Sequence, residues 1–207
     1  MQMTETHRAA LHDLLRWRRD VRHFRPDPLP EAMVETLQAA MEMAPSVGNA
    51  RPWRVIRVTD DTLRAGVRAS FAACNAQAAE GYEGEARQAY LALKLAGLDA
   101  APLQLAVFTE TAPEQGRGLG RRTMPETLEQ STAMAIHALW LTARAHDVGL
   151  GMVSILDPAE ISRLFDAPET WRFSAYLCLG RAEFDDDTPL LHRSGWQENR
   201  ETDWQTR

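Results

Sequence analysis

The stretch that most limits the fold runs from Thr127 to His146. Its apolar positions, Leu128, Ala133, Met134, Ile136, Ala138, Leu139, Trp140, Leu141 and Ala143, leave few polar sites in its second half. A helix apolar nearly all round has no face to leave in water. In a chain of 207 residues it must be the centre of the core or be covered by a second copy of the chain. Mixed helix and strand patterns surround it. Residues 5–19 read as a helix. Met33, Val34, Leu37, Ala40, Met41 and Ala44 give one apolar face at helical spacing, with Pro30 placed for the first turn and Pro45 just past the end. Asp60 reads as the N-cap of a helix reaching about residue 80. Asp157-Pro158 reads as the cap and first residue of a short helix to Phe165.

Four short runs read as strands: Trp53 to Val58, Leu103 to Phe108, Leu150 to Ile155 and Trp171 to Gly180. Gly149 is expected to end the long helix. Gly149 and Gly151 are expected to let another backbone segment come close. From Cys74 to Gly97 the pattern weakens, and a segment of this kind, about 74–97, is expected to act as a lid. Asp185-Asp186-Asp187 opens a polar tail, about 185–207, that carries Trp196 and Trp204. It is expected to wrap the core or a partner subunit, because tryptophan seldom stays in water without a surface to cover.

Composition narrows the function classes. With 44% hydrophobic and 25% charged residues the chain fits one globular domain over 1–207. A net charge of -6 argues against nucleic acid as a partner. No run of eighteen uncharged apolar residues predicts a membrane span, and Met1 to Arg8 lacks the apolar core of a signal peptide. Cys74 and Cys178 are too few for a disulfide framework and read as buried hydrophobes in a reducing cytoplasm. The six histidines lack ligand-like spacing, so no metal site is expected.

Against this acidic background, Arg18-Arg19-Asp20-Val21-Arg22 places three arginines in five positions. Guanidinium groups bind phosphate through a planar fork of donors, so the cluster suggests a dianionic ligand. By itself it reads equally well as a solvated helix end, with Asp20 paired to a neighbouring arginine. Pro45-Ser46-Val47-Gly48-Asn49-Ala50-Arg51-Pro52-Trp53 is a turn-rich loop entering a strand. Ser46 and Asn49 serve either local backbone groups or a ligand. Gly116, Gly118 and Gly120 lack the gaps of nucleotide loops, and Arg117, Arg121 and Arg122 beside them serve solubility equally well.

Taken in order, the arginine motif, the Pro-Ser-x-Gly-Asn-x-x-Pro-Trp loop and the strand after it resemble the FMN-dependent nitroreductase family. Lys94-Leu95-x-Gly97-Leu98, Gly120-Arg121, Ser131-Thr132, Leu139-Trp140-Leu141, Gly149-Leu150-Gly151-x-Val153-Ser154-Ile155 and Leu177-Cys178-Leu179-Gly180 extend the likeness over roughly residues 8–197. Asp20, standing where many members carry a small hydroxyl residue, and Ser154 resemble the branch that consumes its own flavin to make 5,6-dimethylbenzimidazole, the lower ligand of vitamin B12. Arg51, Met152 and Gln130 depart from the usual pattern.

The resemblance implies an α+β fold, an antiparallel central sheet flanked by helices, in an intertwined homodimer with FMN at the subunit interface. It implies flavin contacts from Arg18, Arg19, Asp20, Val21, Arg22, Pro45, Ser46, Asn49, Leu150, Val153 and Ser154. Asp20 would handle a ribityl proton and Ser154 would act near flavin N5. It further implies reduced FMN and oxygen as substrates, a sugar phosphate as second product, and a separate reductase supplying the flavin. An NAD(P)H-dependent nitroreductase, a corrinoid reductase and a non-catalytic flavin carrier stay open at this level.

Overall fold

The computed structural model describes residues 1–93 and 97–207. The Lys94-Leu95 part of the sequence likeness and the end of the expected lid fall outside the described residues. Helices α1 (Glu5–Trp17) and α2 (Glu31–Glu42) precede strand β1 (Trp53–Arg57). Next come α3 (Asp61–Ala79), α4 (Gly84–Ala92), α5 (Gly97–Ala100) and β2 (Leu103–Glu110). Helix α6 (Thr127–Ala145) leads to β3 (Gly149–Val153), α7 (Pro158–Leu164), β4 (Trp171–Gly180) and α8 (Leu190–Arg193).

The strands form one antiparallel sheet in the order β1-β2-β4-β3, the expected α+β architecture. Side chains alternate across a strand, so each central strand feeds two cores. Leu105, Val107, Leu177 and Leu179 join Leu37, Met41, Leu139 and Leu150 on the side of α2 and α6. Ala106, Phe108, Tyr176 and Cys178 join Val67 and Ile161 on the side of α3 and α7. Strand β2 is therefore buried along nearly its whole length, as a strand covered on both faces must be. Burial, with the charge of Asp20 second, pushes the Cys178 thiol up to about 12, so this cysteine is a packing residue.

The helix starts follow their cap residues. Asp60 Oδ1 accepts from the Thr62 and Leu63 amides at 2.7 and 3.1 Å, and Asp157 Oδ1 from Ala159 and Glu160 at 2.8 and 3.1 Å.

Two expectations need correction. Asp147, at φ +55°, takes the left-handed position after α6; Gly149 is already the first residue of β3. As the Asp60 cap predicts, α3 runs to Ala79, so the expected lid segment begins inside its last turns, in an alanine-rich sequence that favours helix. Within one chain α6 is two-sided, with Leu128, Ala135, Ile136, Leu139 and Ala143 buried and Ala133, Met134 and His137 exposed, so of its two expected settings the centre of a single chain's core does not hold. The tail divides as well. Trp196 packs against Tyr82 and Tyr90, with centroids 5.5 and 6.2 Å away, while Trp204 is exposed. Among the described residues no helix is long and apolar enough to cross a membrane.

Candidate active site

The arginine motif begins where α1 stops. Arg18 turns to an extended conformation, and the chain then runs beside the edge strand β3. The Val21 amide donates to the Leu150 carbonyl at 3.0 Å, and Asp20 pairs with Leu150 in a parallel bridge. Trp140 Nε1 donates to the Arg19 carbonyl at 3.2 Å. Phe24, fully buried, closes the segment in a bridge to Ala182. The two strand glycines permit this close approach, as their spacing predicts. A Cβ on Gly151 would lie 2.1 Å from the Val21 carbonyl oxygen, and one on Gly149 would lie 2.9 Å from the Val21 side chain.

This backbone arrangement fixes Asp20. Its Oδ1 accepts from the Met152 amide at 2.9 Å, and its Oδ2 accepts from Arg22 Nε at 3.3 Å. The simple ion-pair role read from sequence is thus present, and a main-chain donor adds to it. The guanidinium of Arg18 lies 4.8 Å from the centre of the Trp140 ring, a cation–π distance. That of Arg19 donates back to the Leu15 and Arg16 carbonyls at the end of α1. The Nε atoms of both Arg18 and Arg19 are buried without a hydrogen-bond partner. Burial first, and then the Arg18 charge, hold Arg19 below the usual guanidinium range, against the pull of Asp186 and Asp187. A desolvated cation with an idle donor is a site suited to an anion.

Arg19, Asp20 and Arg22 line a cavity of about 80 Å³ whose opposite wall is Phe184, Asp186, Thr188, Leu190 and Arg193. It holds several waters' worth of space, enough for a compact anionic group and too small for a three-ring ligand. Sequence reasoning missed this second wall. The available signal was an acidic run followed closely by Arg193 in a chain whose N-terminal arginines need counter-ions.

The remaining site residues are placed as follows. Pro45 and Asn49 are exposed, and Ser46 is half-buried. Ser46 Oγ accepts from the Arg51 amide at 3.0 Å, the local duty that its loop position favours. Ser131 Oγ accepts from the Val47 amide at 3.0 Å, tying the loop to α6. Ser154 is exposed just beyond β3. Leu150 and Val153 were expected as flavin contacts, and their side chains belong to the two cores. What they can offer a ligand is main chain.

The two halves of the motif set do not meet within one chain. Asp20 pairs with Leu150, which lies across from Leu179 and, beyond it, Leu103. The Pro45–Asn49 loop enters β1 at Trp53, which lies across from Thr109. These are opposite edges and opposite ends of the sheet. Three strand spacings of ~4.8 Å and the rise from Leu103 to Thr109 at ~3.4 Å per residue put them on the order of 20 Å or more apart.

The Nitroreductase family model matches residues 15–181. A 5,6-dimethylbenzimidazole synthase of Rhodobacter capsulatus is 63% identical over the full length of both chains. One of Rhodospirillum rubrum is 50% identical over 93% of this chain and 92% of its own. Among solved structures, an oxidised iodotyrosine deiodinase bound to FMN and 3-iodo-L-tyrosine superposes with a TM-score of 0.72 at 23% identity, over 95% of this chain and 97% of that one. A nitroreductase-like protein of Streptococcus mutans superposes with a TM-score of 0.68 at 16% identity, over 94% and 99%. The order of the motifs, the fold that carries them and the match over residues 15–181 agree: this chain belongs to the nitroreductase family.

Proposed function

We propose that the chain is a 5,6-dimethylbenzimidazole synthase that fragments reduced FMN with oxygen and releases a ribityl-derived sugar phosphate. The observation that carries this reading is Asp20. It is a carboxylate held by the Met152 amide and Arg22 in the wall of an arginine-lined cavity, in a chain 50–63% identical to proteins of that name. The residues fit the flavin's phosphate: three arginines, Arg19, Arg22 and Arg193, line a cavity the size of a phosphate group, and the Nε of Arg19 is buried without a partner. Reduced FMN supplies the chemistry that activates oxygen and also the carbon skeleton of the product.

The protein's part is binding, orientation and proton handling. Arg19 and Arg22 take the phosphate in the cavity, and Arg18, braced on Trp140, adds charge beside it. Asp20 lines the same cavity, so with the phosphate seated there its carboxylate would be the group placed to take a proton from a ribityl hydroxyl as the C1′–C2′ bond breaks. Ser154, exposed at the end of β3, is available to hydrogen-bond near flavin N5. The main chain of β3 supports the ring edge. The segment around α4 excludes water.

The separation of the two motif halves supports a homodimer in which Pro45, Ser46 and Asn49 of one copy complete the site on the other. Leu11, Leu15, Trp17 and Met134 give α1 and α6 exposed apolar surface for such a contact. A separate reductase supplies the reduced flavin.

One experiment tests activity and assembly together. Supplied with reduced FMN and air, native protein is expected to form 5,6-dimethylbenzimidazole, and Arg22→Ala and Asn49→Ala each to form little. After co-refolding of the two variants, half the dimers are mixed and each mixed dimer carries one intact site, so about a quarter of native activity returns. No product from native protein, or no recovery on mixing, contradicts the corresponding half of the reading.

A further inference from the structure

Three consecutive aspartates in the tail each hold an arginine from a different element. Asp185 binds Arg144 of α6 at 2.6 Å, and Asp187 binds Arg16 of α1 at 2.7 Å. Those two pairs pin the segment against the body of the protein. Asp186 differs, because it lines the phosphate-sized cavity and binds Arg193, which lines it too. The Asp186 Oδ1 also accepts from the Thr188 amide at 2.9 Å, so its carboxylate stays in place even without Arg193.

Among the described residues, the charged groups around this cavity are Arg19, Arg22 and Arg193 against Asp20 and Asp186. That leaves an excess of one positive charge, whereas a phosphate monoester brings nearly two negative ones. Two of the three guanidiniums are already met by carboxylates of the protein itself, Arg22 by Asp20 and Arg193 by Asp186. We infer that Asp186 is a resident counter-ion: it competes with the flavin phosphate for Arg193 and so sets how tightly the phosphate end is held. The inference rests on the flavin reading above and extends it to release. An enzyme that destroys its flavin must discharge a sugar phosphate after each turnover, and a carboxylate ready to reclaim Arg193 loosens that product. Two acids line the cavity for different purposes, Asp20 for the proton and Asp186 for the grip.

The test is flavin titration by fluorescence quenching with oxidised FMN and with riboflavin, which lacks the phosphate. Asp186→Asn keeps the Thr188 contact and removes one negative charge beside the phosphate. It is expected to bind FMN about tenfold more tightly and riboflavin as native protein does, since a like charge placed against a ligand anion weakens binding steeply. Asp185→Asn, whose pair lies outside the cavity, is expected to leave both affinities within about twofold. Arg193→Gln frees Asp186 to face the phosphate and is expected to weaken FMN about tenfold or more, again sparing riboflavin. Unchanged or weaker FMN binding by Asp186→Asn overturns the proposal, as does equal tightening of riboflavin. If that variant fails to fold, FMN binding by Arg193→Gln equal to the native value overturns it instead. Because these measurements need no turnover, they separate from the flavin-fragmentation reading, which fails if native protein binds FMN yet forms no product.

Discussion

Asp20→Asn is expected to bind FMN at least as tightly as native protein and to form 5,6-dimethylbenzimidazole at least ~100-fold more slowly, the usual loss when a positioned general base is removed. The structure makes this a clean substitution. An asparagine Oδ1 still accepts from the Met152 amide, so the segment stays on β3. Its side-chain amide no longer carries the charge that Arg22 meets, which releases Arg22 to the phosphate and protects affinity. What is lost is a group able to take a proton from the ribityl chain. Binding by fluorescence quenching and product by chromatography read the two effects separately. Parallel loss of both would make Asp20 a positioning residue for Arg22, and full product yield would remove it from the mechanism.

Gly151→Ala is expected to cost about 3 kcal/mol of stability, the upper part of the range for overpacking, and to abolish measurable FMN binding. The clash is with a backbone oxygen, 2.1 Å from the new Cβ, so no side chain can turn away to relieve it. The Arg18–Arg22 segment must lift from β3. Lifting it breaks the Val21–Leu150 hydrogen bond and the contact of Asp20 with the Met152 amide. Gly81→Ala is the control. Its Cβ meets only the Ala78 carbonyl at an ordinary 3.4 Å, and stability is expected to hold or rise slightly. Chemical denaturation and FMN titration on both variants check the pair. A Gly151→Ala protein of native stability and affinity would show that the segment's seat on β3 does not build the site.

The sheet and its helices were legible because local signals agreed. Asp60 and Asp157 announce helix starts by chemistry that needs nothing beyond the next three residues. The run Trp171–Gly180 is a strand with the same bounds in sequence and structure. Long-range matters were less legible. The apolar content of Thr127 to His146 pointed to the centre of one core or to cover by a second copy, and within one chain one side of the helix rests on the sheet while the other is open. Composition cannot tell a helix inside one chain from a helix meant for two. Asp147 took the helix stop because aspartate tolerates a left-handed backbone, a competence that the nearby glycine masked.

In the site, the arginines, Asp20 and the two glycines of β3 were all visible, since their chemistry or their lack of a side chain is unusual where they stand. The far wall was not. Asp186 and Arg193 are ordinary charged residues in a polar tail, and only the fold brings them opposite Arg19 and Arg22. Leu150 and Val153 misled for the opposite reason. A motif names positions, and at these positions the side chains are buried in the two cores.

The central claim is that this protein seats FMN by its phosphate and breaks the ribityl chain beside Asp20. The most direct measurement uses reduced FMN carrying a carbon-13 label at ribityl C1′, incubated with the protein in air, with the products read by mass spectrometry and NMR. The expected result is 5,6-dimethylbenzimidazole labelled at C2, accompanied by an unlabelled sugar phosphate and loss of the flavin. Labelled FMN returned intact in its oxidised form, with hydrogen peroxide and no benzimidazole, contradicts it.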